Sequence, residues 1–359
     1  MKKHCLPKLM RTTACALLGA LVAGCAVAPA PSRDTGIPTS AHVPSPSPPA
    51  ATSIIIPSTT PTGVVEPTPT IAPFPQIPAG EWLLFANCWS DESLLLHWSV
   101  SVVSPDGSGF DRIRNGTGFA LAFSQSHSRL IAVDPDRSQS RQSDLYIVDL
   151  VTGDVSDVPG DPIHHSVYLD WAPDENAVTL NLDGDLYLLD LTIGNMRRML
   201  DCEAVDNGSC GQAVWSPDRQ RITINLGFAR SGPVDQRTGI YILDAECLLS
   251  SGGCPFARWQ RVPERAGLSA WSPDGKFIAV AEHSLLSIVD ASELSTIREI
   301  PLDSAVSVRS LAWSSGHAAL AIGSWGRLYL LPLDGPSIPT LLRSVAGEIG
   351  PIAWFVVPP

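Results

Sequence analysis

The sequence predicts an all-β chain: a six-bladed β-propeller with four-stranded blades, closed by a C-terminal strand that completes the N-terminal blade. Three observations lead there. A tryptophan followed by a turn recurs as W-A-P-D at 171–174, W-S-P-D at 215–218, W-S-P-D-G at 271–275 and W-S-S-G at 313–316. A second element recurs five times, once ahead of these and once downstream of each, as D-L-Y-I-V-D-L at 144–150, D-L-Y-L-L-D-L at 185–191, G-I-Y-I-L-D-A at 239–245, L-L-S-I-V-D-A at 285–291 and R-L-Y-L-L-P-L at 327–333. The first unit, from Glu81, lacks the strand that opens the others, and the chain ends on an orphan strand, I-A-W-F-V at 352–356. Repetition at this period marks a ring or array of small supersecondary units.

The elements follow in chain order. Residues 1–24 carry Lys2, Lys3, Lys8 and Arg11 ahead of the short apolar run Thr12–Gly24. That order of charged, apolar and small-residue regions is a secretory address, too short to span a bilayer. The string L-V-A-G-C at 21–25 resembles the bacterial lipobox. The resemblance implies lipidation of Cys25 and cleavage before it. Ala26 stands where Asp often signals inner-membrane retention, so outer-membrane sorting is implied if the organism has one. Residues 25–79 are then a lipidated Cys and a linker rich in Pro, Thr, Ser and Ala, with too little apolar content to offset the entropy of ordering it. As polyproline II, residues 26–78 would reach about 160 Å; as flexible coil, about 40 Å. Residues 80–359 are assigned to the propeller.

Within each unit, strand a ends at the aromatic residue (Phe123 in the earliest full unit, Trp354 at the end). A turn leads to strand b, exemplified by L-I-A-V at 130–133 and F-I-A-V at 277–280, and strand c carries the Tyr. The weaker strand d follows the Asp that ends strand c, as in M-R-R-M-L at 196–200. Strands b and c are apolar on both faces, which suits sheets covered on both sides. The short, β-rich runs bounded by Gly, Pro, Asp and Asn exclude helices.

The W-S-P-D-G and L-Y-x-x-D elements over 81–357 resemble the TolB-like, or WD-like, propeller repeat. The resemblance implies the architecture and says little about activity. A TolB protein has a folded α/β domain before its propeller; here an anchor and linker stand in that place.

Charge narrows the partners. The formal net charge is -12, and the basic residues of the leader make the rest more acidic still. Nucleic acid and anionic headgroups are thereby excluded as docking partners, so contact with membrane is expected only through the lipid. Of the eight cysteines, Cys5 and Cys15 leave with the leader. Five remain in an oxidising compartment, where disulfides are the default. Local closure pairs Cys202 with Cys210 and Cys247 with Cys254 and leaves Cys88 over, although the sequence leaves other pairings open.

No catalytic constellation, metal motif or cofactor fingerprint stands out, no G-x-S-x-G occurs, and no hydrolase domain is expected after Pro359. The Asp residues of the turns (Asp174, Asp218, Asp274) and those closing strand c (Asp149, Asp190, Asp244, Asp290) read as acceptors for turn backbone. The a–b turns are uniform, whereas the b–c and d–a loops on the other rim are irregular. That rim carries the binding candidates Trp89, His97, Trp98, His164, His165, Phe228, Arg230, Arg237 and Trp325, since function tends to sit in variable loops on a rigid frame. The expectation is a monomeric, envelope-anchored, non-enzymatic binding or scaffold module for a protein or envelope polymer. The alternative is a propeller hydrolase or lyase acting on an envelope saccharide or lactone.

Overall fold

Periodic β-rich runs separated by left-handed turn positions can only build hairpins, and the computed structural model contains little else. It describes residues 77–93, 95–134, 144–160, 168–205, 208–228, 237–250, 254–263, 265–282, 284–304 and 306–358. Four sheets have four antiparallel strands each. The first comprises β4 (Phe119–Phe123), β5 (Arg129–Val133), β6 (Leu145–Asp149) and β7 (Val155–Asp157), and the second β8 (Leu169–Trp171), β9 (Ala177–Leu182), β10 (Asp185–Asp190) and β11 (Met196–Leu200). The third holds β12 (Gly208–Trp215), β13 (Arg221–Phe228), β14 (Gly239–Asp244) and β15 (Gln260–Arg261), and the fourth β16 (Leu268–Trp271), β17 (Phe277–Glu282), β18 (Leu285–Asp290) and β19 (Thr296–Pro301). A fifth sheet has six strands in the order β20 (Ser310–Trp313), β21 (Ala319–Pro332), β22 (Thr340–Val357), β1 (Gly80–Ser90), β2 (Leu96–Val103) and β3 (Asp111–Thr117).

The chain is thus an all-β propeller of four-stranded blades, with five sheets where six were expected. The reason lies in β21 and β22. Both run on without a break, so the ladder of the last repeat continues into that of the first. Residues Leu320 to Gly323 of β21 pair with β20, while Arg327 to Leu330 pair with the start of β22. The far end of β22 pairs with β1, setting Trp82 opposite Phe355 and Leu84 opposite Ala353. The expected pairing of 352–356 with 82–86 is present, and it ties the two ends of the ring together.

The core lies between sheets rather than within them, as the two-faced apolar strands require. On β1, Leu84 and Ala86 face Leu130, Ala132 and Tyr146. Leu83 and Phe85, on the alternate face, meet Ala312, Ala321 and Leu328 from the other half of the same six-stranded sheet.

The repeated tryptophans bolt neighbouring sheets together. The Nε1–H of Trp171 donates to the carbonyl of Ala122 (3.1 Å), that of Trp271 to Val214 (3.2 Å) and that of Trp313 to Ala270 (3.0 Å). Each acceptor belongs to the first strand of the preceding sheet. Arg129 and Arg221 lie 4.8 Å over the rings of Trp171 and Trp271, adding a cation–π contact across the same joints.

The turns behave as their residues dictate. Asp218 Oδ1 accepts from Ser216 Oγ (2.6 Å) and the Gln220 N–H (3.0 Å), and Asp274 Oδ1 does the same from Ser272 Oγ (2.7 Å) and Lys276 (3.1 Å). The next residue takes positive φ, 66° at Arg219 and 68° at Gly275, which is why the motif ends in Gly where it is complete. Asp149, Asp190 and Asp290 each accept two backbone N–H groups at the turn after strand c. Asp244 departs from this. The chain there enters a helix, Ala245–Leu249, and the carboxylate makes no cap hydrogen bond.

Candidate functional site

The rim formed by the b–c and d–a connections brings the sequence candidates into three places. At the β1–β2 hairpin tip, Asp91 Oδ1 accepts the N–H groups of Ser93 (2.8 Å) and Leu95 (3.1 Å), fixing a tight loop. Its Oδ2 lies 2.9 Å from His97 Nε2. That hydrogen bond, helped by the backbone donors, holds the Asp91 carboxyl below its ordinary range. The His97 ring stacks on Trp89 with centroids 5.7 Å apart and 27° between planes. Both rings are half-buried.

Trp98 corrects the expectation. It is 1% exposed and belongs to the core, because alternation along β2 turns it inward where His97 turns outward. Its indole donates to Thr117 O (3.0 Å) and lies 2.7 Å from the Tyr146 hydroxyl. Gly116 sits opposite, and a Cβ there would collide with the indole ring. Trp98 offers no surface to a partner.

The second place is Trp325, half-buried near the bend of β21. Arg309 lies 5.1 Å over its ring and its Nε is 3.4 Å from Glu348 Oε1. Glu348 stands opposite both Trp325 and Cys88. Burial pushes its carboxyl up, with Arg309 pulling the other way.

The third is a cleft of about 560 Å³ spanning the second and third sheets. Met199, Leu200 and Asp201 line one side, Arg237, Phe256 and Trp259 the other. Disulfides Cys202–Cys210 and Cys247–Cys254 both form, as local closure led one to expect, and Cys254 lines the cleft. Cys88 is buried outside both. The two-residue β15 pairs only with Tyr241 and Ile242 of β14. Tyr241, Phe256 and Trp259 form an aromatic cluster with centroids 5.0 to 5.9 Å apart. The Tyr241 hydroxyl donates to Arg237 O at 2.6 Å and the Trp259 indole to Cys254 O at 3.0 Å, which pins the wall.

Phe228 ends β13 opposite Gly208. Cys25, His164, His165 and Arg230 lie outside the described residues. Phe256 and Trp259 were missed as candidates; the signal was the longest repeat interval, between Trp215 and Trp271, which holds the insertion. Also missed were two half-buried titratable groups. His127, in the turn after β4, is pushed down to about 4 by burial, which outweighs the nearby Glu175. Asp170 on β8 is pushed up to about 7 by burial. Among the described residues, no group of three or more His, Cys, Asp or Glu converges on a point.

No protein-family model matches this chain, and no curated protein matches it in sequence. Solved structures do resemble it. The structure of a nidogen/laminin complex aligns with 78% of this chain and 100% of its own, at TM-score 0.52 and 9% identity. The β-propeller domain of Myceliophteria thermophila Cps50 (Swd1) aligns over 75% of this chain and 89% of its own, at TM-score 0.45 and 13% identity. Hydrazine synthase from Kuenenia stuttgartiensis aligns over 67% and 74%, at TM-score 0.46 and 14% identity. At these identities the likeness concerns the fold alone.

Proposed function

We propose that this chain is an envelope-anchored lipoprotein whose propeller is a non-enzymatic binding module, working through the rim of b–c and d–a loops. The observation that carries the reading is a cleft that the d–a loop after Leu200 and Arg237 of a b–c connection form with the c–d insertion of the third sheet. Two disulfide-closed loops hold its walls, Phe256 is 37% exposed at its edge, and Arg237 and Asp201 supply charge. A rigid aromatic wall with an Arg beside it is the composition of a recognition hot spot. The opposite rim is consumed by its own turn hydrogen bonds. The partner class is a protein or envelope polymer.

Crosslinking in the native envelope, followed by affinity measurement on the captured partner, tests this. Phe256→Ala, Arg237→Ala, Trp89→Ala and Trp325→Ala are expected to weaken binding, by about 2 kcal/mol at a hot spot. Arg219→Ala on the other rim is expected to leave it unchanged; the reverse pattern rules out this rim. The anchor is tested separately, since Cys25→Ser is expected to release the chain from membranes. Retention of that variant with normal processing refutes the lipid.

We also infer that the six-stranded sheet is two four-stranded blades joined through β22, giving the six of a TolB-like ring. Three features support this. The Leu333 N–H donates to Ala318 O (2.7 Å) across the base of β21, as Leu191 does to Asn176 (2.9 Å) and Ala291 to Lys276 (2.8 Å) at the b–c hairpins of other blades. The inner strands β4, β8, β12, β16 and β20 and the end of β22 contact one another in a closed order. The packing of Leu83 and Phe85 on Ala321 and Leu328 is face to face, as between blades. A crystal structure is expected to show six blades about the axis.

A further inference from the structure

The cleft between the second and third sheets is lined mainly by apolar side chains, Met199, Leu200 and Val205 from one sheet and Phe256 and Trp259 from the other. Of its two charged members, Asp201 is held by Arg198 at 3.1 Å. The hydroxyls of a saccharide would find few partners in such a lining, whereas branched aliphatic side chains would find contact on every side. One border of the cleft is also the edge of a sheet. In the order β11-β10-β9-β8, β11 bonds β10 alone among the described residues, and its Met196, Arg197 and Arg198 are exposed. An edge strand turns a row of N–H and C=O groups away from its partner. An extended segment laid along that edge satisfies its own backbone while alternate side chains enter the adjoining groove.

The chain itself carries a segment of this kind. Ile54–Ile56, which lies outside the described residues, is the longest run of large apolar residues between Ala26 and Gln76, where Pro, Ser, Thr and Ala prevail. Three consecutive β-branched residues favour extended backbone. Alternation puts Ile54 and Ile56 on one face and Ile55 on the other. A tether has no use for such a run, and in water it is a site of self-association.

The point of attachment puts the cleft within reach. Ile77 is buried in the core with Trp82, whose indole donates to Pro78 O (2.9 Å). From Ile77 back to Ile56 the chain is interrupted by prolines that favour extension, and at that pitch it reaches about 65 Å. A folded unit of about 280 residues is roughly 50 Å across, so a groove on the far side of the ring is accessible. Tethering makes docking intramolecular, so a contact too weak to retain a free peptide is sufficient.

We propose that Ile54–Ile56 of the same chain docks in this cleft as a strand added to the free edge of β11, with Ile54 and Ile56 turned inward. The inference rests on the reading of the cleft as a binding site and names its resident: the chain's own segment covers the groove, and a partner must displace it.

The test uses the purified full-length chain and needs no partner. With Phe256→p-benzoylphenylalanine, irradiation is expected to join the cleft to residues 51–60 of the same molecule, read by peptide mass spectrometry. Combining Ile54→Ser, Ile55→Ser and Ile56→Ser is expected to lower that yield at least about 10-fold and to quicken amide exchange of Met196–Leu200 about 10-fold. A crosslinked dimer would assign the cleft to a second copy and overturn the proposal. A crosslink to any other part of the chain, no crosslink at all, or unchanged exchange in the serine variant overturns it too. If the Phe256 variant fails to fold, exchange in wild type and the serine variant decides, because the substituted isoleucines lie outside the propeller. Failure here leaves the partner reading of the cleft intact, and failure to capture a partner leaves self-docking intact.

Discussion

At the residue scale, six equivalent positions hold an aromatic ring, but they do not carry equal loads. The indoles of Trp171 and Trp313 are buried and bonded across a joint. Trp171→Phe and Trp313→Phe keep most of the packing and lose that bond while stranding a carbonyl, a cost of about 1 kcal/mol each. Trp215→Phe removes an N–H that has no partner among the described residues, so it is expected to cost about 1 kcal/mol less than the other two. Equal losses at all three positions would show that the indole bonds contribute nothing specific. His127 supplies a second residue-scale expectation. Its folded value of about 4 lies below the ordinary 6.5 because burial disfavours the charged ring. Its contribution is complete above pH 6.5 and is lost as pH falls toward 4. His127→Asn, which suits the positive φ of 57° there, is expected to flatten the acid limb of a stability–pH curve. An unchanged acid limb would remove His127 from the account.

At the element scale, the turns and the insertion govern behaviour. Gly275 has positive φ, and a Cβ there would make only ordinary contacts with Pro217 Cδ (3.9 Å) and Arg221 Nη2 (4.0 Å), so Gly275→Val meets backbone strain rather than collision. A loss of about 1 kcal/mol is expected from the left-handed conformation alone. Arg219 occupies the same conformation without being Gly, and Arg219→Gly is expected to be neutral or mildly stabilising in the same assay. The β14–β15 insertion is different in kind. It replaces most of an edge strand, and its fold depends on Cys247–Cys254 and on the aromatic cluster of Tyr241, Phe256 and Trp259. The double variant Cys247→Ser, Cys254→Ser is expected to cost about 2–3 kcal/mol in the chain-entropy account. It is also expected to raise proteolysis near 254–258, because the segment loses its covalent closure. A cleavage pattern identical to wild type would mean that the aromatic cluster alone holds the loop.

At the scale of the whole molecule, the ring is closed by β22, which reaches from the last repeat into the first. Its end pairs with β1 from Gly80 to Cys88, and its Ala353 and Phe355 enter the core shared with the first four-stranded sheet. Deleting residues 350–359 removes that strand and bares the β1 edge, so aggregation or a sharply lower melting temperature is expected. An unchanged melting temperature would show that the seam carries little of the ring's stability. Charge acts at this scale too. A chain of net charge -12 repels other polyanions, which favours partners recognised through aromatic and hydrogen-bonding contacts over those held by bulk electrostatics.

Strand periodicity, the turn residues and the two short cysteine loops are local properties, and local properties are written in sequence. The Asp acceptors, the left-handed position filled by Gly275, both disulfides and the seam pairing could all be read there, because each depends on residues a few positions apart or on a pattern repeated along the chain. What needed the tertiary structure was everything decided between sheets. Trp98 looked like rim surface by its place in a loop-proximal strand, and only the pleat of β2 and the absent side chain of Gly116 turn it into core. The merging of the last and first repeats into one sheet depends on β21 and β22 continuing through positions where the pattern suggests breaks. Asp170 reads as an ordinary polar residue until the N–H groups of Trp171 and Trp215, on two different sheets, donate to it, since an environment made by neighbours distant in sequence leaves no mark in the residues that flank it. The same holds for the cleft, whose walls are brought together by ring closure and by a disulfide-held insertion whose length, but not its path, was visible in the spacing of the tryptophans.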